Sequence, residues 1–300
     1  MHPVRGEWMQ LFRLLAYVWW HPLNARGRLS AMGRVARWQI GSRLLPGAVA
    51  LPFVGSTRLF ATRGMWGATG NWYCGLHEVA EMAFVLHVLR PSDRFIDVGA
   101  NVGSYTVLAA GAVGSRVFAV EPIPTTFGFL RRNVELNGLG ELVRCWQGGL
   151  SDRRTTLRFS SELDTVNHVL AAGEDQPNFE VPVTTLDDLV GEDVPTVIKI
   201  DVEGYELPVL RGGQRVLADR RLWAVIMETN GSGTRYGVED EELFGVMHLH
   251  EFVPYSYEPF KRQLFAGRTD SGNTVFVRDI NAVNERIRTA PMYALINGSI

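Results

Sequence analysis

The spacing of apolar positions changes several times along this chain, and each change marks a different kind of element. Up to residue 45 apolar side chains recur every three or four positions. That period predicts helices over 7–20 and 28–45, punctuated by Pro22 and Pro46. A stretch over 51–63, with Gly55-Ser56 at its middle, predicts a β-hairpin. Residues 64–75 are rich in glycine and aromatics and read as a loop. Residues 76–89 return to helical spacing, with Leu76, Val79, Ala80, Ala83, Val85 and Leu86 on the apolar side, and Pro91 stops them.

From Arg94 the pattern becomes strand, helix, strand, helix. Short apolar runs over 95–98, 116–120 and 142–147 alternate with helical stretches over 105–112 and 125–137. Such alternation with short links argues an α/β fold, a parallel sheet with helices on both faces. Residues 150–186 interrupt it with two antiparallel strands, 155–160 and 179–185. The alternation resumes with strand 196–201, helix 207–218, strand 223–229 and helix 239–250. Runs at 252–258 and 274–278 read as a closing pair, and 280–300 as a weakly patterned tail. The division expected is an arm over 1–70, a main domain over 71–280 and a tail over 281–300.

Apolar residues are 46% of the 300 and charged residues 21%, which excludes wholesale disorder and fibrous classes. The formal charge of −2 is far from the positive excess of a general nucleic-acid binder. Cys74 and Cys145 form no CxxC pair, so neither a zinc site nor a disulfide framework is expected, and a reducing cytoplasm is the default compartment. The near-neutral total hides an asymmetry. Residues 1–50 hold seven arginines (Arg5, Arg13, Arg26, Arg28, Arg34, Arg37, Arg43) against Glu7, about +6, which leaves the remainder at about −8. The same arm holds Trp8, Trp19, Trp20 and Trp38. Its apolar run, 14–20, is far shorter than the ~20 residues a membrane span needs. Trp19-Trp20-His21-Pro22 is a poor cleavage region, so no signal peptide is expected.

Four motifs carry the candidate chemistry. In Phe95-Ile-Asp-Val-Gly-Ala-Asn-Val-Gly103 a strand turns into a helix, the place where ligands bind in an open α/β sheet. Gly99 and Gly103 allow a tight turn and close approach to a ligand. The dinucleotide pattern GxGxxG fails, since Asn101 and Ser104 stand where it needs glycine. Asp97 would repel a phosphate but suits an ammonium or sulfonium group. Glu121, at the end of the next strand and 22 residues past Gly99, has the offset of an acid that accepts from a ribose diol. In Gly148-Gly-Leu-Ser-Asp152, groups near Leu150, Ser151 and Asp152 lie where a purine edge would be read. Val197-Ile-Lys-Ile-Asp-Val-Glu-Gly-Tyr-Glu206 places Lys199 and Asp201 on one face of an otherwise apolar strand, with Glu203 just beyond. The chain has two lysines in all, and a buried charge needs a partner, so a Lys199–Asp201 or Lys199–Glu203 ion pair is expected there.

These segments, IDVGANVGSYT, VEP, GLSD and above all IKIDVEGYE, resemble the FkbM family of S-adenosylmethionine-dependent methyltransferases. The likeness runs from about residue 75 to 278. It implies a class I methyltransferase (Rossmann-like) fold with a seven-stranded mixed sheet, preceded here by the helical arm. It also implies S-adenosylmethionine as cofactor, held by Asp97, Gly99, Asn101, Gly103 and Glu121 with the Leu150–Asp152 loop at the purine. Asn101, where the wider class often has glycine, is normal for the family. The activity implied is O-methylation of a hydroxyl on a sugar, glycan or natural product.

An alcohol is a weak nucleophile and benefits from a base within hydrogen-bond reach. Asp201, Glu203 and Lys199 are candidates for the catalytic set by position, and His168 by its titration range. His77, beside Glu78, is a weaker candidate. Glu228 adds an acid to the same rim. Asp201, Glu203 and Glu228 offer the oxygen ligands hard cations favour, but no DxD-type spacing accompanies them, and no metal is expected. The rival readings are a nicotinamide dehydrogenase, opposed by the failed GxGxxG, and an inactive methyltransferase-fold protein serving at a membrane surface or in an assembly. The arm is expected either to lie on an anionic membrane surface or to pack on the sheet domain or a second subunit.

Overall fold

The computed structural model describes residues 4–160, 168–170, 174, 177–268 and 272–300, with side chains from residue 11 onward. Its centre is one mixed sheet of eight strands. In chain order they are β1 (Arg94–Val98), β2 (Arg116–Val120), β3 (Val143–Trp146), β4 (Val197–Ile200), β5 (Ala224–Glu228), β6 (Val253–Glu258), β7 (Gln263–Ala266) and β8 (Asn273–Val277). In space they run β7-β6-β8-β5-β4-β1-β2-β3. Strands β1 to β5 are mutually parallel, and β8 pairs antiparallel with β5. The order reverses between β1 and β4, so a crevice opens beyond their carboxyl ends. Seven strands were expected and eight are present. The extra one, β7, is an edge strand on β6 with most of its side chains in water, so it carries no apolar signature.

Strand residues alternate between two cores. Phe95, Val117, Val143 and Val197 face one side, where they meet helix α4 (Val79–Val88), the helix starting at Ser104 and the helix Pro124–Leu136. Ile96, Val120, Ile198 and Val225 face the other, against Leu207, Leu210, Leu217, Leu243 and Met247. This is the double-sided burial that central parallel strands require.

Three expectations are corrected. Residues 64–75, read as a loop, contain α3 (Trp66–Cys74), because Ala68, Thr69, Asn71, Tyr73 and Cys74 are buried and tertiary packing outweighs the glycines' low helix propensity. Gly70 lets this helix approach the His77 ring, to 3.2 Å of where a Cβ would sit. The helix expected over 207–218 is two, Glu206–Arg211 and Gln214–Ala218. They break at Gly212, where a methyl group would overlap the Ser151 carbonyl. The tail holds a helix, Ile280–Arg288, whose Val283 and Ile287 are buried against α4.

The arm folds as two antiparallel helices, α1 (Val4–Trp20) and α2 (Arg28–Leu44), and packs on the sheet domain. Val18, Leu23, Ala31, Val35 and Trp38 join the first core. Buried Arg34 donates to Asn24 Oδ1 at 3.0 Å and to the Tyr73 carbonyl at 2.7 Å. Asn297, near the other end of the chain, donates to Asn24 Oδ1 and to the Cys74 carbonyl. Among the described residues no helix is long and apolar enough to cross a membrane.

Candidate active site

The crevice beyond β1 and β4 is lined by two cavities that meet at the turn after β1. The first is bounded by Gly99, Asn101, Glu121, Pro122, Ile123, Thr126, Phe159, Asp201, Val202 and Glu203. The second, of about 200 Å³, shares Gly99, Asn101, Asp201 and Glu203 and adds Trp66, His77, Glu78, Tyr105, Lys199 and Glu228. Together they make one bent trough.

The turn is built by its backbone. Gly99 has φ +76°, and a methyl group there would overlap the Asp201 carbonyl oxygen, so β1 and β4 approach as closely as they do only because residue 99 has no side chain. Asn101 is also left-handed, at φ 51°. Asparagine tolerates that region by bonding locally, and here its Oδ1 accepts from the Val102 amide at 2.7 Å. Its own amide donates to Glu121 Oε2 at 2.8 Å. Oε1 of Glu121 accepts from the Ile123 amide and the Thr126 hydroxyl. Burial raises the Glu121 carboxyl to about 7, against those hydrogen bonds, which favour the anion.

Lys199 and Asp201 meet as their spacing predicts, Nζ to Oδ2 at 2.7 Å. Lys199 sits over the Tyr105 ring at 4.8 Å and faces Asp97 on the neighbouring strand. Burial pulls its pKa down, but Asp201, Asp97 and Glu78 together more than offset this, so it stays a cation. Asp97 is wholly buried and lines neither cavity. Its Oδ2 accepts from Thr106 Oγ1 at 2.6 Å, and burial raises its pKa against the pull of Lys199. Glu203, left-handed at φ 56°, is raised by burial and then by Asp201 to about 7. Glu228 is pushed higher still, by burial and by Asp201, Glu203 and Glu206. Oxygens of Asp201, Glu203 and Glu228 all lie within 4.8 Å of one another, a grouping able to hold a hard cation.

His77 lines the trough but is spoken for. The Trp66 indole can only donate, and its Nε1 lies 3.1 Å from His77 Nε2, so that nitrogen is an acceptor. The ring proton is therefore on Nδ1, facing the Tyr17 hydroxyl at 3.0 Å, and that hydroxyl in turn donates a hydrogen bond to the His77 carbonyl. Burial lowers the pKa of this ring, which keeps it neutral. Through Tyr17 the arm thus orients a wall of the trough.

Other expected residues lie elsewhere. Leu150 and Ser151 are buried and Asp152 is exposed, and none lines either cavity. Phe159, on the strand Thr155–Ser160, lines the first cavity instead. His168 is buried 3.4 Å from Glu174 and also lines neither, while 164–167 of its loop lie outside the described residues. Trp66 and Tyr105 were not singled out in the sequence. Trp66 lies in the stretch whose composition suggests a loop, and Tyr105 opens the helical stretch over 105–112 with no motif of its own.

The sequence model of the Methyltransferase FkbM domain matches residues 97–254, from the buried Asp97 to the start of β6. The chain belongs to the FkbM methyltransferase family. Among curated relatives, "Methyltransferase 1" of Beauveria bassiana is 32% identical over 149 residues, covering 41% of this chain and 59% of its own length. The hexuronic acid methyltransferase AglP of Haloferax volcanii is 27% identical over 192 residues, 61% of this chain and 77% of its own. The match to the fungal relative thus spans less than two thirds of that protein. A crystal structure of an FkbM methyltransferase from Methylobacillus flagellatus aligns over 83% of this chain and 60% of its own, with a TM-score of 0.44 and 15% identity. This FkbM-family chain thus carries its matched segment on a mixed α/β sheet whose order reverses at the trough.

Proposed function

We propose that this protein is an S-adenosylmethionine-dependent O-methyltransferase acting on a hydroxyl of a sugar or glycan. The observation that carries the reading is the bent trough around the Gly99–Asn101 turn, with Glu121 in one limb and the Lys199–Asp201–Glu203–Glu228 group in the other. The residues fit the cofactor. Among the described residues Glu121 Oε2 accepts one hydrogen bond, from the Asn101 amide, and so keeps a lone pair for a ribose hydroxyl. Gly99, seated against the Asp201 carbonyl, gives both limbs of the trough a backbone floor. The carboxylates of the second limb suit the positive methionine end. The likeness to a hexuronic acid methyltransferase supports a sugar-type acceptor.

When bound, S-adenosylmethionine supplies a methyl group activated by its positive sulfur. The residues of the chain then have separable tasks. Lys199 neutralises Asp201 and fixes its direction. Glu203, raised to about 7, would accept the proton the acceptor hydroxyl gives up on gaining the methyl group, while the electron pair of the broken C–S bond stays on the neutral thioether. Glu228, protonated at neutral pH, removes charge repulsion from the rim. Alignment of hydroxyl and methyl in the enclosed limb supplies most of the rate. The Lys199 ammonium, 2.7 Å from Asp201, compensates that one carboxylate of the group.

Calorimetric titration with S-adenosylhomocysteine, followed by methyl-transfer assays over a panel of sugar acceptors, tests the proposal. Binding together with transfer to a sugar hydroxyl is expected. Absence of cofactor binding by folded protein refutes it, and binding with transfer only to nitrogen refutes the oxygen assignment. Transfer that requires magnesium and stops with chelator would make the acidic rim a metal site.

A further inference from the structure

The arm presents a second surface that methyl transfer does not use. Among the described residues, seven of the twelve large apolar side chains left in water lie between residues 12 and 45: Phe12, Tyr17, Trp20, Leu29, Ile40, Leu44 and Leu45. Leu29 is 80% exposed and Leu44 74%. They are not scattered. On α2, Leu29, Gly33, Ala36, Ile40 and Leu44 follow one another at four, three, four and four residues, which is a single helical stripe. The buried row of the same helix, Ala31, Val35 and Trp38, points the opposite way, into the core. Gly33 meets nothing within 4 Å of a would-be Cβ, so the stripe is open along its length.

Arginines border this stripe. At about 100° per residue, Arg37 falls on one edge of it and Arg43 on the other. Arg28 lies over the Trp19 and Trp20 rings, at 5.5 and 4.8 Å, where α1 ends. Neither edge carries an acid, since Glu7 is the sole carboxylate of residues 1–50.

We infer that this face lies on an anionic lipid surface, with the stripe and the Trp20 indole in the interface and the arginines among the head groups. The charge decides the occupant. A two-fold contact with a second copy would set one arm of about +6 against another, whereas an anionic bilayer neutralises it. A continuous apolar stripe with arginine borders and indole at one end is the pattern of an interfacial helix. Here the helix is fixed to an enzyme by its other side. Tyr17, at the base of the same arm, bonds His77 in the trough wall, so the trough is held at a set distance from the lipid.

Flotation of the full-length protein with phosphatidylserine-containing vesicles, at low and high salt, tests the inference. Vesicles of phosphatidylcholine alone are the control. Co-flotation with the anionic vesicles at low salt is expected, with loss at high salt and on neutral vesicles. The charge-reversal pair Arg37→Glu and Arg43→Glu should weaken partition by roughly tenfold or more, from ~1 kcal/mol per basic residue. Ile40→Glu with Leu44→Glu should abolish it. These side chains are exposed, so both pairs should melt at the wild-type temperature and bind S-adenosylhomocysteine normally. Protein that stays at the bottom in both salts overturns the inference. So does flotation unchanged by either pair, or a concentration-dependent dimer that the Ile40/Leu44 pair dissolves without any lipid binding.

Discussion

The two ends of the central sheet treat charge in opposite ways. At the amino ends of β1, β2 and β3, Arg94, Arg116 and Arg144 border a shallow cavity with Glu141 and Asp193. Arg94 bonds Asp193 at 2.8 Å, but both side chains are largely in water, 41% and 65% exposed. At the carboxyl ends, Lys199, Asp201, Glu203 and Glu228 line one cavity with Trp66 and Tyr105, and Asp97 is buried behind them. Strand β1 carries a member of each set, Arg94 at one end and Asp97 near the other. What differs is access to water, which screens one set and leaves the other to interact at full strength. Charge at the first end is solubility, and charge at the second is a site.

The sharpest way to break that contrast is to remove one charge from each end. Lys199→Met leaves Asp97 and Asp201 without their cation in a buried setting, and should cost about 3–5 kcal/mol of stability. Arg94→Met at the other end should cost less than ~1 kcal/mol. Denaturant melts of the two variants, side by side, measure the difference; equal losses would show that the carboxyl end is better hydrated than its burial indicates.

A smaller effect is expected from Glu203→Gln, which keeps shape and removes the base. Turnover should fall about 10²-fold or more while cofactor affinity stays within a few-fold. In the wild type, turnover should climb as pH rises through about 7, as Glu203 ionises, and that limb should vanish in the variant. Stability moves the other way. The folded value lies above the reference value of 4.5, so this carboxyl favours folding below pH 4.5 and loses that contribution as pH rises through about 7. Melting temperature against pH should therefore flatten in Glu203→Gln.

The least of the expected effects concerns the other limb of the trough. Glu121→Ala should weaken S-adenosylhomocysteine binding by ~1.5–3 kcal/mol, the value of a hydrogen bond to a charged group. Because Glu121 also accepts from Asn101, Ile123 and Thr126, Glu121→Gln serves as the control that keeps most of the turn. Unchanged affinity in both folded variants removes the ribose assignment.

Local spacing made part of this legible. Lys199 and Asp201 are two apart on a strand, so a shared face followed at once, and Glu121 followed from its distance to Gly99. Asn101 stands where the wider class often has glycine, and its left-handed backbone supplies the reason. What stayed hidden depended on contacts distant in sequence. The Tyr17–His77 bond spans 60 residues, and no periodicity announces it. Asp97 has the look of a ligand-facing acid in its motif, yet its full burial follows from packing against Thr106 and the strand that bears Lys199. Trp66 was concealed by the glycines around it, which argue for a loop until the buried face of α3 is seen.

The knot that joins Asn24, Arg34, Cys74 and Asn297 bears on the order in which the chain acquires its shape during synthesis. Asn24 and Asn297 are 273 positions apart. At ~5–20 residues per second, the ribosome makes the second of them roughly 14–55 s after the first. Until then the arm's seat on α3 lacks the amide that bonds both Asn24 and the Cys74 carbonyl. The nascent arm, basic and with its apolar stripe uncovered, spends that interval ready to meet any anionic surface nearby.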